Sequence, residues 1–108
     1  MSTYTIDVVK QFSKKPYGRY PEDGEGCGEN FRKMWLVPKL REFDHVHVVL
    51  DGYNRYGRSF LDEAFGGLIR EEDFTFEELQ RKLTYSHSLV KSIEALIKDR
   101  IEAAAGLS

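Results

Sequence analysis

The sequence has few of the devices that staple small secreted domains together. Its 108 residues include one cysteine, Cys27, so no internal disulfide can form, and such a chain reads as intracellular. No apolar run approaches the roughly 20 residues that a membrane-spanning helix needs, and the opening MSTYTIDVVK has no secretory leader. A cytoplasmic protein without a membrane partner is expected. Charge of one sign is also missing: 16 basic against 18 acidic side chains leave a formal net charge of -2. The broad positive field of a nucleic-acid binder is therefore absent, and nucleic acid is not an expected partner. Proline occurs three times, and only Pro38 interrupts an otherwise helical pattern.

What is present suits one modest core. A chain this short, 41% hydrophobic and 13% aromatic, has too little apolar material for two ordinary domains, so residues 1–108 read as one domain. Tyr4 to Phe12 alternate as a half-buried strand does. Ser13 to Gly28 mix Pro, Gly and charge, with YGRY a candidate second strand. ENFRKMWLVPKLREF places Phe31, Met34, Trp35 and Leu40 at helical spacing, with a break or kink expected at Pro38. HVHVVLDG is dense and β-branched, like a central strand covered on both faces.

From Ser59, the residues Phe60, Leu61, Ala64, Phe65, Leu68 and Ile69 form one apolar helical stripe. Thr75 to Glu78 has capping-box spacing, and KLTYS reads as a last strand. A final helix carries Leu89, Ile93, Leu96, Ile97 and Ile101 and stops at Gly106. The expected fold class is α/β: a single small domain with helices packed on a mixed central sheet of about four strands.

The stretch RSFLDEAFGGL poses the main functional question, because Ser59 stands where strand gives way to helix. As a nucleophile it fails: the elbow needs small neighbours, whereas Phe60 and Leu61 follow, and His45 and His47 lie at the far end of the preceding strand. No catalytic residue is assigned and no enzyme is expected. As a helix cap it succeeds, with Asp62 three places on to complete the box.

Other candidates sort quickly. DGEGCGENF lacks the Lys-Ser/Thr of a phosphate loop and follows no apolar strand, so no nucleotide or other cofactor is expected. Arg19 is placed to lock Asp62 or Glu63 in a bidentate pair, or else to share a ligand pocket with them. His45 and His47 lie two apart on a strand and face one way, but spacing suggests no third ligand, so no metal is expected. The loop GYNRYGR joins Tyr53, Arg55, Tyr56 and Arg58, residue types enriched at binding hot spots. With Ser59 these four are expected to be largely exposed and to form a protein-binding surface.

Gly18-Arg19-Tyr20, the GCGENF run ending at Phe31, and SFLDEAFGGL together resemble the uncharacterised STAS-like family of bacterial proteins. Apolar strand, Asp, short loop and Ser-initiated helix are similar to the STAS domain of anti-sigma-factor antagonists. The resemblance implies a STAS-like fold, a non-catalytic regulatory role, and a protein partner, with an ATPase of the histidine-kinase type as its class. It also implies phosphorylation at Ser59, although the antagonists usually have D-S-S/T-G where this chain has Arg58-Ser59-Phe60-Leu61. Asp62 and Glu63 would repel a phosphate there, while Arg58 would attract it. Two alternatives stand beside this: a small ligand-binding protein or enzyme with a pocket near Arg19, Ser59, Asp62 and Glu63, and a phage or mobile-element protein acting on a host system. The sequence leaves the oligomeric state open.

Overall fold

The computed structural model describes residues 2–107. Strand β1, Thr3–Asp7, is shorter than its alternation suggests because Asp7 ends it. The Asp7 carboxylate accepts from the Lys10 amide at 3.0 Å, and the Asp7 amide donates to Gln11 Oε1 at 2.6 Å. These local partners replace the sheet ladder and turn the chain into one wide π turn, Val8–Phe12.

YGRY is not a strand. The Gly28 and Glu29 amides donate to the carbonyls of Gly18 and Arg19, and a 3-10 turn follows at Pro21–Asp23. The loop thus spends its backbone groups on the start of the next helix.

That helix, α1, spans residues 28–42 and begins at Cys27, whose Sγ accepts from the Asn30 amide. Pro38 does not break it. The missing amide at Pro38 is accommodated just before it by a π turn, Arg32–Leu36, in which the Val37 amide reaches back to the Arg32 carbonyl. The extra residue shifts the apolar face, so Phe31, Leu36 and Leu40 are buried while Met34 is 61% exposed.

Strand β2 is His45–Val49, and helix α2 covers residues 58–70, again with a central π turn, Asp62–Gly66. Helix α3, Phe76–Lys82, opens on the Thr75–Glu78 capping box, formed at 3.1 and 2.9 Å. Strand β3, Leu83–Ser86, follows directly. Helix α4, Lys91–Ala104, buries Ile93, Ile97 and Ile101 one turn apart and ends at Gly106, where φ is 77°. Leu89 precedes the helix and is exposed.

The sheet has three strands in the order β1-β2-β3, all parallel, instead of about four in a mixed sheet. Crossovers of one hand that step in one direction across a sheet lay their helices on one face. Ile6, Val46, Val48 and Leu83 point into the core beneath those helices. The opposite face carries Thr3, Thr5, His45, His47, Thr84 and Ser86, none of them buried. Strand β2 is therefore covered on one face, not two. No helix among the described residues is long and apolar enough to cross a membrane.

Candidate functional site

The run DEAFGG builds an arginine cage. The π turn in α2 sets Asp62 and Glu63 toward the loop that carries Arg19, whose Nη1 lies 2.8 Å from Asp62 Oδ2 and 3.3 Å from Glu63 Oε1. Arg32, on the π turn of α1, is buried. Its Nη1 donates to Glu63 Oε2 and to the Glu63 carbonyl, both at 2.7 Å, and its Nε donates to Glu72 at 3.0 Å. Arg70 reaches Asp62 at 3.2 Å and Arg100 stands 3.6 Å from it.

Burial disfavours the Asp62 carboxylate, but the hydrogen bonds from Arg19 and Arg70 outweigh it and hold the pKa below its ordinary value. Burial likewise opposes the charge on Arg32, and Glu63 and Glu72 overcome it, so that guanidinium is held above its ordinary pKa. The cage lines an open, almost wholly polar cleft.

The two glycines of this run make room for the cage. A Cβ on Gly67 would fall on the Arg32 guanidinium, and one on Gly66 would stand 2.8 Å from Arg70 Nη1. Gly28 serves the same junction from α1, since a Cβ there would lie 2.5 Å from the Phe60 carbonyl oxygen. The helices meet backbone to backbone, which only glycine permits.

Ser59 is not the cap of α2. The cap position is Gly57, no side chain accepts from the first-turn amides, and Ser59 lies exposed inside the first turn. Asp62 cannot complete a box because the arginines have taken it. The chain enters the helix two residues earlier than Ser-x-x-Asp spacing implies, at a glycine that carries no side-chain signal.

The loop before it divides into an inner and an outer set. Tyr56 is 7% exposed, contrary to the expectation of an exposed ring. It packs against Tyr53 at 5.2 Å between ring centres, Phe60 at 5.8 Å and His87 at 6.5 Å. Its hydroxyl is buried without a hydrogen-bond partner among the described residues, and burial, with Asp7, Tyr53 and Asp51 nearby, raises its pKa. Tyr53 is half-buried, with its carbonyl 2.9 Å from Nε2 of the buried His87. His87 Nδ1 accepts from the Leu89 and Val90 amides, so its Nε2–H is the donor to Tyr53. Asp51 closes the base of the loop, accepting from the Ser88 amide and hydroxyl at 2.7 and 2.6 Å.

Arg55, Arg58 and Ser59 remain outside and exposed. Arg58 and Ser59 line a cleft with Tyr17, Gly18, Arg19 and Asp23, and Tyr17 is 57% exposed. Arg19 borders both this cleft and the cage.

Sequence reasoning missed Arg32, Arg70, Arg100 and Glu72 as members of the cage, and Tyr17 as a neighbour of Ser59. The paired glycines at 66 and 67, inside a helix that gains nothing from them, were the available signal that something large approaches there.

Residues 28–92 match the model for STAS-like domains of unknown function. The chain belongs to that family. The matched stretch contains α1, the Asp62–Glu63 pair, Arg32 and Ser59, and it leaves out β1 and the loop that bears Arg19. No curated protein and no solved structure matches the chain.

Proposed function

We propose that this STAS-like domain is a non-catalytic regulatory module that docks a protein partner at the start of α2. One observation carries the reading: Arg55, Arg58 and Ser59 are exposed together while Tyr56 and Tyr53 fix their loop to the body. A surface held in this way loses little freedom on binding, and exposed Arg beside Tyr17 has the composition of an interface hot spot. An ATPase of the histidine-kinase type is the partner class that the STAS likeness favours.

Phosphorylation of Ser59 belongs to the same proposal. Its hydroxyl is exposed in the first turn of α2, where free amides favour an anion, and Arg58 adjoins it. The repulsion that Asp62 and Glu63 would exert is offset by their pairing with Arg19, Arg32 and Arg70. The test is a pulldown from cells of the source organism with wild type, an Arg55→Ala/Arg58→Ala variant and Met34→Ala, an exposed residue of α1 outside the Arg58–Ser59 cleft. A protein recovered by wild type and Met34→Ala but lost with the arginine variant supports docking here. Equal recovery by all three contradicts it.

A further inference from the structure

The open face of the sheet carries a chain of hydrogen bonds that has no counterpart in the docking site. His45 Nδ1 lies 3.3 Å from the Arg81 carbonyl oxygen. A carbonyl only accepts, so that nitrogen carries the proton and His45 Nε2 presents a lone pair. Nε2 lies 2.9 Å from Thr84 Oγ1, and His47 Nδ1 lies 2.7 Å from the same oxygen. His47 Nε2 is 3.0 Å from Ser86 Oγ. Two imidazole nitrogens from alternate residues of β2 thus converge on one hydroxyl of β3, on the face without helices.

We propose that His45 Nε2 and His47 Nδ1 bind a divalent transition ion of the zinc type at this point, with Thr84 Oγ1 beside it. Imidazole is a preferred ligand for such ions, and each ring already has the outer partner that metal-bound histidines use: the Arg81 carbonyl for His45, the Ser86 hydroxyl for His47. On binding, the proton of His47 moves from Nδ1 to Nε2 and is donated to Ser86 Oγ, so both rings stay neutral and no net proton is released. Zinc–nitrogen bonds are about 2.0–2.1 Å, so binding requires both rings to turn from Thr84 Oγ1 toward the ion. No group of three or more His, Cys, Asp or Glu suited to a metal occurs among the described residues. The ion therefore keeps coordination positions open to water or to a ligand from another molecule, unlike a closed structural site.

The test is calorimetric titration of untagged, chelator-treated full-length protein with zinc chloride at pH 7.5, alongside nitrogen-15 spectra of the histidine rings. The structure predicts one zinc per chain, with His45 and His47 signals displaced and buried His87 unmoved. His47→Asn should weaken binding more than tenfold, and Ser86→Ala by about tenfold or more. No saturable binding, equal affinity for His47→Asn, or displacement of His87 alone would each overturn the site. The ring spectra use wild-type protein, so they decide the matter even if a variant folds poorly.

Discussion

Arg32 Nη1 lies 2.7 Å from Glu63 Oε2 in the interior, joining the π turn of α1 to the π turn of α2. Removing Arg32 leaves the buried Glu63 carboxylate with only the longer 3.3 Å contact from Arg19 and strips the Glu63 carbonyl of its donor, so Arg32→Ala should cost about 3 kcal/mol. Gly67→Ala should act through the same contact, because its Cβ occupies the place of the guanidinium. Denaturant midpoints for both variants within error of wild type would remove the cage from the account of stability.

Acid should weaken the domain through Asp62. Its pKa is lowered in the fold, so its contribution is fully present above the unfolded value of about 3.9 and is lost as pH falls below it. Asp51, Glu78 and Glu94 are lowered as well and act in the same direction. Asp62→Asn should melt lower at pH 7 and show a shallower fall in melting temperature below about pH 4. Parallel melting curves for the two proteins across that range would contradict the assignment.

Tyr56→Phe should leave stability unchanged or raise it by about 1 kcal/mol, because it removes a buried hydroxyl that has no partner. Chemical denaturation decides this. A loss of more than about 1 kcal/mol would mean that the hydroxyl is satisfied after all.

The two hydroxyls at helix starts should behave oppositely. Thr75→Ala removes a formed capping box and should cost about 1 kcal/mol. Ser59→Ala changes an exposed side chain that caps nothing and should stay within about 0.5 kcal/mol of wild type. Equal losses at both positions would restore Ser59 as a cap.

Those hydroxyls also mark what the sequence made legible. Thr75 was readable because its box is local, with Glu78 three residues on. Ser59 was misread because Asp62 had a stronger suitor in Arg19, 43 positions away, which no local spacing records. The stripe Phe60, Leu61, Ala64, Phe65, Leu68 and Ile69 was legible: the first five are buried and Ile69 is half-buried. Met34 was not, because the π turn before Pro38 adds a residue to the helical period. The Arg19–Asp62–Glu63 contact was legible from an arginine in a loop near helix starts and its readiness for bidentate pairing, whereas the burial of Tyr56 depended on His87 and Phe60, which the fold brings beneath it.

The central claim is that binding energy is concentrated at the start of α2. Its most direct measurement is the affinity of the captured partner, purified, for wild type, Arg58→Ala and Met34→Ala by calorimetry. The account predicts a loss on the order of 2 kcal/mol for Arg58→Ala with unchanged melting, and less than about 0.5 kcal/mol for Met34→Ala. Unchanged affinity for Arg58→Ala, or a larger loss for Met34→Ala, would contradict it.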